Sequence, residues 1–241
     1  MKNKPTASNT LSPLGRGLSG GAYIIIVAGG SGTRMNNAVP KQFLELLGKP
    51  ILMHTIEKFI AAISEINIIV VLSLQYVEQW KILCKKHNFT ISYQLAEGGS
   101  TRFHSVKHGL EFVPENCIVG VHDAARPLVS IPTIIKAFET AEQKGNASPA
   151  IPLTESIRVL ENGNTKAVDR VNYFIVQTPQ CFQSNILKQA FLQAYRPTFT
   201  DDASVVEAMG EKINLIEGNS ENIKITSPQD LIIAEALMAA F

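Results

Sequence analysis

The chain has 241 residues, 45% of them hydrophobic, enough apolar material for one α/β domain with a sizeable buried core. Its 22 basic and 21 acidic side chains nearly cancel, which excludes a general electrostatic pull toward nucleic acid or an anionic membrane; any anion site must be local. Cys84, Cys117 and Cys181 follow no zinc or redox spacing and no apolar run is long enough to span a bilayer, so a reduced cytoplasmic protein is expected.

Residues 1–21 are rich in Ser, Gly, Pro and Asn and lack the continuous apolar stretch of a secretory signal. They are expected to form a disordered tail outside a single domain spanning 22–241. From there, short β-branched runs alternate with segments of helical period. A strand is predicted at 23–27, a helix at 51–62, a strand at 67–73, a helix at 76–87, a strand at 91–95 and a helix at 100–112. A strand at 117–122, a helix at 132–144 and a strand at 147–151 follow. Residues 152–172 break the alternation: two extended runs, 156–160 and 165–171, flank Glu161-Asn162-Gly163-Asn164, and Asn-Gly between extended runs predicts a hairpin because both residues tolerate positive φ. Strands at 173–177 and 213–217 and helices at 184–195, 202–209 and 228–240 complete the chain, the last helix capped by Ser227 with Pro228 at its first position. The pattern predicts a mainly parallel twisted sheet flanked by helices. The hairpin has too few large apolar residues for a core of its own, so it is expected to project as an arm onto a second subunit, giving a homodimer.

Three loops carry chemistry. The first, Ala28-Gly29-Gly30-Ser31-Gly32-Thr33-Arg34-Met35, follows the first strand and leads to Pro40-Lys41-Gln42-Phe43. Its glycines allow a phosphate chain to approach backbone amides, and Arg34 and Lys41 supply fixed positive charge for phosphoryl transfer. It is neither a Rossmann fingerprint nor a Walker loop. The second, Gly98-Gly99-Ser100-Thr101-Arg102-Phe103-His104-Ser105, is an ordinary capped loop, with Ser100 as the cap, or a glycine turn set against a base edge; Arg102 and Ser105 share a helix face. The third, His122-Asp123-Ala124-Ala125-Arg126-Pro127, closes a strand at its carboxyl end, where ligands bind in open α/β sheets. Asp123 there suits a ribose hydroxyl or a metal-bound water and Arg126 a phosphate, while an Asp–Arg pair closing the turn is the structural alternative. Downstream stand Asp169-Arg170, Gln177-Thr178-Pro179-Gln180, Thr200-Asp201-Asp202 and Asn222-Ile223-Lys224-Ile225-Thr226. Thr200 and Asp202 also read as helix caps. The histidines show no zinc or catalytic spacing.

Taken in order, these motifs resemble the 2-C-methyl-D-erythritol 4-phosphate cytidylyltransferase family from Tyr23 to about Leu237. The resemblance implies a Rossmann-like nucleotidyltransferase fold and a magnesium-dependent transfer of the cytidylyl group of CTP to that sugar-alcohol phosphate. It implies that Arg34 and Lys41 stabilise the transition state, and that Ala28, Gly29, Gly30, Ser31, Gly32, Thr33, Gly99, Arg102, Ser105, Asp123 and Ala124 hold the nucleotide. Arg170 and Lys224 would position the acceptor, with Asp123, Arg126, Ser156, Thr178 and Thr200 beside it. Arg170, Arg126 and Ser156 would act in the neighbouring subunit's site. The metal would sit mainly on the CTP phosphates, with Asp123 as a candidate further contact. Gly29 stands where many members have alanine, and Ser156 where the arm commonly has threonine. The first departure leans toward the sister ribitol 5-phosphate cytidylyltransferases, whereas Asp123-Ala124-Ala125-Arg126 matches the methylerythritol enzymes. A catalytically inactive nucleotide-binding regulator and a sugar-1-phosphate nucleotidyltransferase are the rivals from other classes.

Overall fold

Strand β1, Ala22–Val27, carries three consecutive isoleucines, Ile24, Ile25 and Ile26, none of them exposed. A strand buried on both faces must lie inside a sheet covered by helices on each side. In this computed structural model, which describes residues 18–29 and 40–240, that is its position. Strands β2 (Glu45–Leu46) and β3 (Lys49–Pro50) form a small hairpin. Helix α1 (Ile51–Ala62), β4 (Asn67–Leu72), α2 (Val77–Lys86), β5 (Gln94–Glu97), α3 (Arg102–Leu110), β6 (Ile118–Asp123) and α4 (Ile131–Lys144) then alternate. The second half holds β7 (Asn146–Pro152), β8 (Ile157–Glu161), β9 (Asn164–Val168), β10 (Phe174–Val176), β11 (Gln180–Gln183), α5 (Ser184–Ala190), α6 (Asp202–Glu207), β12 (Leu215–Glu217) and α7 (Pro228–Ala239).

Hydrogen-bonded neighbours in the main sheet run β10-β7-β11-β6-β1-β4-β5, with β12 also pairing β7. Strands β6, β1, β4 and β5 are mutually parallel, whereas β11 runs antiparallel to both β6 and β7. The parallel core bears out the expected α/β sheet, and the antiparallel insertion of β11 makes it a mixed one. Alternation along β1 sends Ile24 and Ile26 into a core shared with Phe59 of α1, Trp80 of α2 and Phe138 of α4. Ile25 enters the opposite core with Phe103 and Val106 of α3, Leu187 of α5 and Val205 of α6. Burial on both faces fixes the strand register, because a one-residue slip would exchange the two cores.

Several boundaries differ from expectation. The turn at 18–21 already belongs to the fold: Leu18 packs against the core, and the Ser19 amide donates to Glu142. Residues 18–21 are therefore not part of a tail outside the fold, and residues 1–17 lie outside those described. Strand β5 starts at Gln94 rather than 91, since only residues 94–97 reach β4. Helix α5 ends at Ala190, short of 195. The cap of α3 is Thr101, whose side chain accepts from the His104 amide, and not Ser100. The cap of α6 is Asp201, in a capping box with Ser204, and not Thr200 or Asp202. Ser227 does cap α7, in a capping box with Asp230, with Pro228 following. The hairpin forms as expected: β8 and β9 pair around Asn162 (φ 49°) and Gly163 (φ 77°), the positive angles that a two-residue hairpin turn needs.

Candidate active site

The parallel strands point their carboxyl ends to one edge, and the site is built there. Val27 of β1 lies level with Asp123 of β6, and Leu72 of β4 with Glu97 of β5, so the loops at 28–29, 98–101 and 123–126 emerge side by side. They line a cleft of about 350 Å3 with Lys41 and Lys224. Asp123, Arg102 and Lys224 also line an adjoining chamber of about 240 Å3, which Arg126, Gln177, Thr178 and Thr200 complete. The two spaces meet at Asp123.

Each wall is held by a specific bond. The side-chain amide of Gln42, itself buried, donates to the Ala28 carbonyl at 2.7 Å and tethers the start of the glycine loop to the segment that carries Lys41. The Gly99 amide donates to Ser105 Oγ at 3.0 Å, and that hydroxyl donates to the Thr101 carbonyl. Gly99 has no alternative here: a Cβ would lie 2.4 Å from His104 Cβ. Thr55 Oγ1 donates to the Ala124 carbonyl at 2.9 Å, fixing the third loop from α1.

Asp123 is the electrostatic centre. Its carboxylate receives Lys224 Nζ at 2.9 Å, Arg126 Nε at 3.2 Å and Arg102 Nε at 3.6 Å. Burial alone would raise its pKa, but Arg102, Lys224 and Arg126 outweigh that and hold it far below the usual carboxylate range. Arg102 is clamped from behind by Asp202, a fully buried side chain, in a bidentate pair at 2.8 and 2.6 Å. Burial pushes the Asp202 carboxyl upward, with the guanidinium pulling against it. Gln180 completes the support, accepting from the Asp202 and Ala203 amides and donating to Asp201.

Of the site residues expected from sequence, the structure brings together Ala28, Gly29, Lys41, Gly99, Arg102, Ser105, Asp123, Ala124 and Lys224 around the larger cleft. Arg126, Thr178 and Thr200 join Asp123 and Lys224 around the smaller chamber. The structural alternative for Asp123 and Arg126 is also realised, since they pair directly, and Arg126 thus lines this chain's own chamber rather than reaching a neighbouring subunit's site as expected. Ser156 and Arg170 are exposed on the arm and line neither space. Gly30, Ser31, Gly32, Thr33 and Arg34 lie outside the described residues. Sequence reasoning missed the supporting roles of Asp202, Gln180, Gln42 and Asn222, whose side chain donates to the Thr178 carbonyl.

The sequence profile described as 2-C-methyl-D-erythritol 4-phosphate cytidylyltransferase matches residues 22–240. A protein of that description from Bacteroides thetaiotaomicron is 49% identical over 215 residues, covering 89% of this chain and 98% of its own. One from Azobacteroides pseudotrichonymphae is 51% identical over 219 residues, covering 90% and 98%. Among solved structures, the 2-C-methyl-D-erythritol 4-phosphate cytidylyltransferase of Thermus thermophilus superposes with a TM-score of 0.73 at 30% identity, covering 93% of this chain and all of the other.

Proposed function

Since the chain belongs to the 2-C-methyl-D-erythritol 4-phosphate cytidylyltransferase family, we propose that its two adjoining spaces divide the substrates of that reaction between them. The activity is transfer of the cytidylyl group of CTP to 2-C-methyl-D-erythritol 4-phosphate in isoprenoid precursor synthesis, with release of pyrophosphate. In the proposed arrangement CTP occupies the larger cleft, with its base against the Gly99–Ser105 turn and its triphosphate along Ala28, Gly29 and Lys41. The acceptor occupies the smaller chamber, its phosphate between Arg126 and Lys224. The observation that carries this reading is the meeting of both spaces at Asp123, with Lys224 and Arg102 lining each.

The chemistry asks for alignment and charge neutralisation. An acceptor phosphate oxygen forms a bond to the α-phosphorus of CTP while the bond from that phosphorus to the bridging oxygen breaks, and pyrophosphate leaves. The nucleophile is already an anion, so no side chain need take a proton from it. Lys41, with Arg34 beyond the described residues, would neutralise charge that grows in the transition state. Lys224, held at 2.9 Å by Asp123, is set to exchange that carboxylate for the incoming phosphate.

Magnesium fits as a companion of the triphosphate. Among the described residues no three carboxylate, imidazole or thiolate side chains converge as a metal cage, and Asp123 is already matched by three cations. Bound to the CTP phosphates, the ion would supply Lewis acidity and charge neutralisation. The arm supports a homodimer: Val171, Tyr173, Phe174 and Ile175 are exposed beside Arg170, an apolar strip that a second copy would cover. Arg170 and Ser156 would then reach the partner's acceptor chamber. No helix among the described residues is long and apolar enough to cross a membrane, and the cytoplasm is the proposed setting.

The test is pyrophosphate release from CTP and magnesium with each of two acceptors. Turnover with 2-C-methyl-D-erythritol 4-phosphate and not ribitol 5-phosphate is expected; the reverse preference would overturn the acceptor assignment. Mixing Lys41→Ala and Arg170→Ala proteins should restore activity through hybrid dimers, and verified hybrids without activity would end the shared-site reading.

A further inference from the structure

Beneath the acceptor chamber lies a polar chain that the reaction as described does not use. His122 of β6 is fully buried, with the Phe59 ring in a T-shaped contact at a centroid distance of 4.9 Å. Its Nε2 lies 3.1 Å from the Arg126 carbonyl, and its Nδ1 lies 2.9 Å from Thr178 Oγ1. The same Thr178 hydroxyl receives the Asp123 backbone N–H at 3.2 Å.

The direction of every bond in this chain follows from donor and acceptor inventory. A carbonyl only accepts, so Nε2 carries a proton. Burial, reinforced by the nearby cations Arg126 and Lys224, lowers the imidazole pKa to about 4, so the ring is neutral near pH 7 and its Nδ1 is bare. Thr178 must therefore donate its hydroxyl proton to Nδ1. Its oxygen meanwhile accepts from Asp123. Of one proton and two lone pairs, the hydroxyl keeps a single lone pair for the chamber that it lines.

We propose that His122 and Thr178 are a positioning pair: His122 accepts the hydrogen bond of the Thr178 hydroxyl, and Thr178 anchors the Asp123 backbone instead of donating to the acceptor phosphate. The pair grips the 123–126 turn at both ends, through the Asp123 amide and the Arg126 carbonyl. It thereby sets where the Asp123 carboxylate stands, and with it the three cations that converge there. The lone pair left on Thr178 would repel a phosphate oxygen but can receive a hydroxyl of the polyol. The inference rests on the reading of the smaller chamber as the acceptor site and deepens it.

Two readouts test it. Nitrogen-15 NMR of the imidazoles, with His122 assigned by its loss in His122→Gln, should show His122 as the Nε2–H tautomer and its Nδ1 signal shifted in Thr178→Val. A protonated Nδ1 at pH 7 would overturn the proposal, and Thr178→Val alone allows the comparison should His122→Gln fail to fold, because the wild-type imidazoles number five. In kinetics, Thr178→Val should lower kcat/KM about 10- to 100-fold for both substrates, the effect of displacing reacting groups. Thr178→Ser should restore it, and the Thr178→Val/His122→Gln double variant should be no worse than the poorer single one. An increase confined to the acceptor KM, multiplying with that of His122→Gln, would mean direct phosphate binding by Thr178. Lys224→Ala isolates the underlying reading: an unchanged acceptor KM there would remove the acceptor from this chamber, while the NMR result would still report on the pair.

Discussion

Replacing Asp202 by asparagine deletes one charge and almost no volume, and its effect can be worked from the geometry. The side chain is fully buried and binds Arg102 at 2.6 and 2.8 Å. An amide offers one oxygen where the carboxylate offered two, and turns its NH2 group against a guanidinium N–H. Breaking a buried pair by removing one partner costs about 3–5 kcal/mol. For a chain of this size each kcal/mol shifts the melting temperature by roughly 2–4 °C, so a fall of about 6–20 °C is expected. The bonds from the Asp202 and Ala203 amides to Gln180 use only the backbone of α6 and are retained. Arg102, released from behind, would swing about its remaining contact with Asp123 at 3.6 Å, and kcat/KM for CTP should fall as well. The Arg102→Met/Asp202→Leu double variant separates the two effects. An apolar replacement of a buried pair is often neutral or stabilising, so melting should recover while activity stays low. Differential scanning calorimetry and initial-rate assays on both variants provide the measurement. A melting point for Asp202→Asn within about 2 °C of wild type, or full activity in the double variant, would refute the reasoning.

Three further outcomes follow from the same structure. Lys41→Ala should reduce kcat about 100- to 1000-fold in steady-state assays, the usual effect of losing a group that stabilises transition-state charge, with a melting point close to wild type. Gly99→Ala must move the first turn of α3, because the added methyl would stand 2.4 Å from His104 Cβ and 3.0 Å from the Ser105 amide; a KM for CTP raised ~10-fold or more is expected, with acceptor KM much less changed. His122 predicts a pH dependence of stability. Its folded pKa, about 4, lies below the ordinary value of 6.5, so between these values the unfolded chain binds a proton that the folded chain does not. Its contribution is thus constant above pH 6.5 and is lost as pH falls toward 4, to a total of about 3 kcal/mol. Urea titrations at pH 7 and 4.5 should show that loss in wild type and a smaller one in His122→Gln.

The parts of this molecule legible in its sequence are those encoded locally. The isoleucine run of β1, the Asn162-Gly163 turn and the Ser227-Pro228 start of α7 each carry their conformation in adjacent residues. So does the turn that ends β6, which is why Asp123 and Arg126 could be named from sequence as residues lining the two spaces. Strand β11 could not. Gln180-Cys181-Phe182-Gln183 has no alternation and follows a proline, and it is a strand because β6 and β7 flank it. The Arg102–Asp202 pair spans 100 positions, and nothing near Asp202 distinguishes a carboxylate aimed at an arginine from the cap that Asp201 provides. His122 belongs to a motif whose charged members carry the obvious chemistry. Its role lies in the partners of its two nitrogens, 4 and 56 positions away, and no spacing rule reaches the second.

In the proposed arrangement the two substrates meet across Asp123. A crystal structure with CTP and magnesium tests this most directly. It should show the triphosphate in the larger cleft along Ala28, Gly29 and Lys41, the base against the Gly99–Ser105 turn, and the smaller chamber open on the far side of Asp123. Nucleotide bound in the smaller chamber, or a larger cleft left empty at saturating CTP, would contradict it.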